Sequence, residues 1–301
     1  MKIAVIDFSS TSISLLVEEV SGEMMTPVVG LRRSVSILGY MSKKGRLSER
    51  GVEKAVESIR YLIDAASKVG AQSVHLISTA SMRRMRNYGE VMEAVRAATG
   101  LPIKNLSGQD EAYADYLANR EYAALGSTLL LDIGGYSAAI ADLDDGRREG
   151  MAALNIGPAA LFPIYDGTYP SKEDAKKLRK VIRKAYVRNG VYPERRYSHM
   201  VLTGSNAAAL YSVYADFYSI ADTSFRTMER KKLRKMVKHL IASEGRTVIL
   251  IRNAPEKVHT LLPAAILAEE SAAIYGADEL IVSDRGVKEG YLRFILEEGN
   301  V

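Results

Sequence analysis

Cysteine is absent from the 301 residues, which excludes disulfides, thiolate metal sites and a cysteine nucleophile. Histidine is scarce. His75, His199, His239 and His259 are scattered without ligand spacing, so a histidine-held zinc ion is not expected. Long apolar runs are missing as well. Nothing approaches the roughly 20 apolar residues that a membrane span requires, and Asp7 interrupts the one N-terminal stretch that could pass for a signal peptide. The expectation is a cytoplasmic chain with no membrane partner. Low-complexity segments and long linkers are absent too. What is present, 47% hydrophobic and 26% charged residues, is the composition of a soluble globular protein. A chain of this length is expected to form two domains rather than one.

The stretch Leu129-Leu130-Leu131-Asp132-Ile133-Gly134-Gly135-Tyr136-Ser137 organises the rest. An uninterrupted apolar run reads as a buried strand, and Asp132 ends it where a sheet opens to solvent. The glycines permit a tight turn whose backbone N–H groups can approach an anion with no side chain between. A carboxylate beside an anion cradle points to a divalent cation bridging the two, hence to Mg²⁺ and phosphate. An ordinary hairpin with a Gly-Gly turn would read the same way if it stood alone. It does not stand alone: Ile3-Ala4-Val5-Ile6-Asp7-Phe8-Ser9-Ser10-Thr11-Ser12 repeats strand, aspartate, small residues and serine. Each copy then returns as a second strand, Ile13 to Glu19 and Ala138 to Leu143. Duplicated halves facing each other across a cleft, with one aspartate from each, are expected.

Charge is unevenly placed. Between Ser171 and Lys238 there are seventeen Lys or Arg against six Asp or Glu, although the whole chain carries only +5. Lys172, Lys176, Arg179, Lys180 and Arg183 recur at helical spacing opposite Leu178, Val181, Ile182 and Ala185. A second basic helix is expected to hold Arg226, Arg230, Lys231, Arg234, Lys235 and Lys238. Segments 172–188 and 226–238 are either two solvated helix faces or a surface for a polyanion. No aromatic-interleaved RNA motif or zinc finger supports nucleic acid.

In chain order, strands over 2–8, 12–20 and 25–37 form a meander, and Ser48 caps a helix reaching about Val69. A strand over Val74–Ile77 leads into the arginine-rich loop Ser78–Asn87, at the sheet end where ligands bind in open α/β folds. A helix near 89–99, a strand near 103–106 and a helix over 109–122 follow. Asp110 and Glu111 fall in the first turn of that helix, where negative charge also suits the dipole. Later, Met200–Thr203 is a strand running into Gly204, Ser205 and a helix, whose N–H groups could serve phosphate or a plain cap. A helix over 256–275 is expected to kink or break at Pro263. A strand at Leu280–Val282 and a last helix close the chain.

Together these segments resemble the exopolyphosphatase/guanosine pentaphosphate phosphatase (Ppx/GppA) family, within the actin-like ATPase superfamily. Asp7 to Ser12 resembles its first phosphate hairpin and Asp132-Ile133-Gly134-Gly135 with Ser137 its second. Ser78 to Asn87 resembles its arginine-and-asparagine loop, with Arg83 and Asn87 in matching places. Ser107-Gly108 with Asp110-Glu111-Ala112 is similar to its Ser-Gly-x-Glu-Glu-Ala segment. Val282-Ser283-Asp284-Arg285-Gly286-Val287-Lys288-Glu289-Gly290 matches its C-terminal signature.

The resemblance implies an α/β fold of two actin-like (ribonuclease H-like) domains, with mixed sheets, flanking helices and a cleft between them. The domains are expected at 1–124, joined by the C-terminal helix 287–301, and at 125–286. It implies release of terminal phosphate from polyphosphate or guanosine pentaphosphate, and in many members a homodimer. By position, Asp7 and Asp132 would hold Mg²⁺ (or Mn²⁺), mostly through water. Glu111, or else Asp110, would orient and deprotonate the attacking water, and Arg83 would stabilise charge on the phosphoryl group. Ser9, Ser10, Thr11, Ser12, Gly134, Gly135, Ser137 and Asn87 would cradle the phosphates, beside Gly204 and Ser205.

The chain also departs from the family pattern. Tyr136 stands for the third glycine of the second hairpin, and Ala138 and Ala139 for its threonine and acidic residue. Ser9 stands for glycine, Thr11 for asparagine, and Ala160 for an arginine. Two readings therefore stay open: a Mg²⁺-dependent phosphohydrolase, or a polyphosphate- or nucleotide-binding sensor of the same fold with impaired catalysis.

Overall fold

The computed structural model describes residues 1–9, 11–22, 24–79, 82, 85–193 and 195–299, the side chain of Leu38 excepted. The chain divides into two compact units, Met1–Ala114 with Lys288–Val301, and Asp115–Val287.

The first unit begins with an antiparallel meander, β1 (Lys2–Phe8), β2 (Ile13–Ser21) and β3 (Met24–Arg33). Then come α1 (Glu49–Lys68), β4 (Ser73–Ser78), α2 (Tyr88–Thr99), β5 (Ile103–Asn105) and α3 (Gly108–Asn119). Strand order is β3-β2-β1-β4-β5, with β4 parallel to β1 and β5 parallel to β4. Ser48 caps α1 by accepting from the Gly51 N–H at 3.3 Å. Ala55, Ile59, Leu62 and Ala66 then fall on one stripe, which buries against Ala4, Ile6 and Phe8 of β1 and Ile13, Leu15 and Val17 of β2. Strand alternation therefore sends Asp7 to the opposite face. The third strand stops at Arg33 instead of reaching residue 37, because a 3-10 turn takes up Ile37–Tyr40.

The second unit holds β6 (Thr128–Ile133), β7 (Ala138–Asp142), β8 (Ala152–Leu154), α4 (Pro158–Leu161), α5 (Lys172–Arg188), β9 (His199–Thr203) and α6 (Ser205–Phe217). It continues with β10 (Thr227–Glu229), α7 (Arg230–Ala242), α8 (Arg246–Asn253), α9 (Leu261–Tyr275) and β11 (Glu279–Val282). The order β10-β11-β9-β6-β7-β8 repeats the first unit's plan. A hairpin and a third antiparallel strand lie to one side of the leading strand, and the parallel strands β9 and β11 to the other, with β10 added antiparallel at that edge. The C-terminal helix α10 (Val287–Glu297) lies almost wholly in the first unit.

Several helix expectations change. Arg226 precedes β10 instead of entering the second basic helix, which starts at Arg230. The helix α8 was not foreseen. Pro263 neither kinks nor breaks α9, because it is the third residue of that helix, where the backbone N–H has no intrahelical partner to lose. No helix of the described residues is long and apolar enough to cross a membrane.

Candidate active site

In the first unit, Asp7 is the last residue but one of β1, between Ile77 of β4 and Ser14 of β2, and Ser14 in turn faces Arg32 of β3. Asp7 is only 8% exposed, and its Oδ1 has no hydrogen-bond partner among the described residues. Burial raises its carboxyl from 3.8 to about 6, against the opposing pull of Lys288 on α10, a Ser9 hydrogen bond and Arg32. The turn after it is closed by Ser9, whose N–H and Oγ both donate to the Ser12 carbonyl at 3.1 and 2.8 Å. Ser12 is buried and Thr11 half-buried. Ser10 and Arg83 lie outside the described residues. Arg32 and Lys288 were not singled out as site residues from sequence. For Arg32 the only available signal is strand register, which needs the pairing of β2 with β3.

The two carboxylates at the start of α3 separate in environment. Asp110 forms a reciprocal cap with Ser107: its Oδ2 accepts from the Ser107 N–H at 3.0 Å, and its own N–H donates to Ser107 Oγ at 3.0 Å. Glu111, the next residue, is buried with 4% exposure. Glycine in the C-terminal signature has a packing reason. A Cβ at Gly290 would lie 1.6 Å from the Ala114 carbonyl oxygen, so only glycine lets α10 rest on α3, the helix that carries Glu111. Asn87 is buried and uses both ends of its amide on one backbone. Its Oδ1 accepts from the Leu47 N–H at 2.9 Å and its Nδ2 donates to the Leu47 carbonyl at 3.0 Å. This makes it a brace of the loop, with one of its two amide N–H groups committed to Leu47.

In the second unit, Asp132, Gly134, Ser137 and Gly204 come together. Asp132 pairs with Thr203 across β6 and β9. A Cβ on Gly204 would lie 2.5 Å from Asp132 Oδ1, and one on Gly134 2.8 Å from the Ser137 carbonyl oxygen. Gly204 also has φ +89°, which any other residue would hold under strain. Asn206, buried at the first turn of α6, donates to the carbonyls of Ile133 and Gly134, both at 2.9 Å. It clasps the glycine turn from beneath. The turn is clasped from the other side by the Ala159 N–H to the Gly135 carbonyl and the Gly157 N–H to the Tyr136 carbonyl, both 2.9 Å. Ser205 accepts from Lys257 Nζ at 3.0 Å. Asn206 and Lys257 were missed as site residues, since neither lies in a phosphate hairpin.

Among the described residues, no group of three or more His, Asp or Glu side chains is placed to hold a metal ion. Mg²⁺ asks for less, usually one or two carboxylates with water and substrate phosphate completing its shell. A buried aspartate with an unpartnered oxygen fits that demand, since orphaned buried polar atoms are rare and costly.

One α/β plan built twice, each leading strand carrying an aspartate next to its last residue before a tight small-residue turn, defines an actin-like fold. The sequence model of the Ppx/GppA phosphatase family matches residues 15–298, and the chain belongs to that family. An uncharacterized protein of Streptomyces coelicolor is 31% identical over 189 residues, 61% of this chain and 56% of its own length. A protein of Mycobacterium tuberculosis named exopolyphosphatase 1 is 27% identical over 164 residues, 54% of this chain and 48% of its own length. The matched region thus spans about half the length of these curated relatives. Among solved structures, the Aquifex aeolicus Ppx/GppA family member superposes with a TM-score of 0.82 at 20% identity, covering 100% of this chain and 99% of its own. An exopolyphosphatase from Cytophaga hutchinsonii superposes at 0.86 with 16% identity, covering 99% and 98%. At such identities the two structures establish shared architecture.

Proposed function

We propose that this chain is an exopolyphosphatase-like phosphohydrolase that frees terminal phosphate from polyphosphate or guanosine pentaphosphate by in-line attack of water. The observation that carries this reading is Asp7, a buried carboxyl near the end of a strand with one oxygen unpartnered among the described residues. Asp7 in the first unit and Asp132 in the second each offer a carboxylate suited to Mg²⁺. Bound there, the cation would offset charge on the phosphate oxygens. Glu111 takes the proton from the attacking water as its oxygen bonds to the terminal phosphorus, and the bridging P–O bond breaks toward the shortened chain. Asp110 is a poorer base, because its carboxylate caps α3 with Ser107. The backbone of Ser9, Gly134 and Gly135 lines the phosphates, and Asn206 holds the glycine turn in shape. Arg83 is assigned the clamp on the transferred group from its place in the motif.

A second reading, a sensor that binds without cleaving, has one observation in its favour. Ala139 lies opposite Asp132 in the β6–β7 ladder and is 2% exposed, so an apolar methyl lines the position where the family places an acid. Phosphate release from medium-chain polyphosphate, with and without Mg²⁺, separates the two. Wild type should release phosphate only with the metal, and Glu111→Gln should lose about 10²-fold or more, the scale of general-base removal. Equal rates in both proteins would remove Glu111 from its role. Binding without release in either would favour the sensor.

A further inference from the structure

Helices α5 and α7 carry fourteen Lys and Arg against two acids, Glu173 and Asp174, in a chain whose net charge is +5. The structure sorts these cations into two kinds. Three of the five arginines, Arg179, Arg183 and Arg234, reach the paired carboxylates of α9, while Arg230 pairs with Asp278. Arg179 donates to Glu269 from Nη2 at 2.7 Å and lies 3.3 Å from Glu270, and Arg183 also binds Glu270. From the other helix, Arg234 comes within 3.9 Å of the same Glu269. Glu269 and Glu270 are 3% and 2% exposed, so these arginines neutralise buried charge and brace α5 and α7 about α9. Arg183, which sequence periodicity assigned to an open basic face, belongs to this brace.

The lysines do the opposite. Lys172, Lys176, Lys180 and Lys184 recur every fourth residue on α5, and Lys235 and Lys238 stand on α7, all exposed. At about 100° per residue, each set occupies the surface next to the arginine that reaches Glu269 and drifts from there toward solvent. None of the six makes an ion pair among the described residues, whereas neighbouring Lys177 and Lys232 pair with Asp174 and Glu229. The α5 row alone extends about 18 Å at about 1.5 Å per residue. Two helices tied to one glutamate thus present a row of point charges without internal partners. Neither helix carries an exposed Phe, Tyr or Trp: Tyr186 is the sole one on α5 and is fully buried, and α7 has none. Stacking on such side chains is how base-bearing single strands are held. Ammonium groups suit phosphate oxygens that need no planar, bidentate partner.

We propose that the lysine rows of α5 and α7 tether long-chain inorganic polyphosphate at a surface distinct in its residues from the phosphohydrolase site. The choice of polyphosphate as the polyanion rests on the reading above, and the surface itself does not. The test is equilibrium binding of long-chain polyphosphate and of tripolyphosphate to the full chain in metal-free buffer. Wild type is compared with the triple variants Lys176→Glu/Lys180→Glu/Lys235→Glu and Lys176→Gln/Lys180→Gln/Lys235→Gln. Mg²⁺-dependent phosphate release from tripolyphosphate is followed in parallel. Long-chain affinity should fall about tenfold or more on reversal and less on neutralisation, with a shallower salt dependence in both variants. Tripolyphosphate binding, phosphate release and melting temperature should stay as in wild type. Unchanged long-chain affinity in the Glu variant overturns the tether. Tighter, lysine-dependent binding of single-stranded RNA than of polyphosphate overturns the assignment of the polyanion. Absence of phosphate release with an intact lysine-dependent tether counts against the hydrolase alone, so the two failures are told apart.

Discussion

Replacing Asp7 with asparagine should stabilise the metal-free protein while removing the proposed phosphate release. The carboxyl rises from 3.8 to about 6 on folding because burial strips it of water. At about 1.4 kcal/mol per unit, the ionised group then costs the folded state about 3 kcal/mol above its folded pKa. The sign follows from proton binding. Between the two values the folded form keeps a proton that the unfolded form has lost, so stability falls as pH rises from 3.8 through about 6 and is level beyond. Asparagine cannot ionise and escapes that cost, but its amide N–H₂ must find a buried partner, at about 1 kcal/mol. About 2 kcal/mol remains, or about 3 °C in melting temperature for a chain of this size unfolding as a whole. Thermal melts of Asp7→Asn and wild type in chelator at about pH 8 measure the gap. It should close as pH approaches about 4. Millimolar Mg²⁺ should raise wild type more than the variant, since only the carboxylate binds it. An Asp7→Asn protein that melts lower than wild type at both pH values, or that gains equally from Mg²⁺, would refute the reasoning.

Two further outcomes follow from single contacts. Asn206→Ala removes the two bonds to the Ile133 and Gly134 carbonyls; unfolding in denaturant should show a loss of about 2 kcal/mol, and phosphate release should fall with it. His75 titrates below its usual 6.5 because burial disfavours the imidazolium, and its Nε2 has no hydrogen-bond partner among the described residues, while the ring meets Tyr291 of α10 at 6.3 Å. A depressed histidine adds stability that is complete above 6.5 and lost as pH falls from there through its lower folded-state pKa; His75→Phe should therefore flatten the acid side of the stability profile, and an unchanged profile would exclude the residue as its source.

Much of the local structure was legible because local chemistry dictates it. The Ser48 cap, the period-two alternation of β1 and the lysine periodicity of α5 need no distant partner. Misreadings came where a residue's meaning depended on what lay beside it. Pro263 looks like a breaker until the start of α9 is known. Arg183 looks like surface charge until Glu270, 87 residues away, is placed next to it. Asn87 reads as a loop residue until Leu47, 40 positions earlier, is found bonded to both ends of its amide.

From residue order alone came the duplicated strand–aspartate–turn plan, its family and the separation of charge along the chain, since each is written in neighbours at short spacing. Only the tertiary structure buried Asp7 and raised its pKa, committed Asp110 to a cap with Ser107, and set Arg179, Arg183 and Arg234 apart from the exposed lysines of α5 and α7. Those outcomes depend on burial and on contacts between residues far apart in sequence, and desolvation has no signature until the chain has closed around the group.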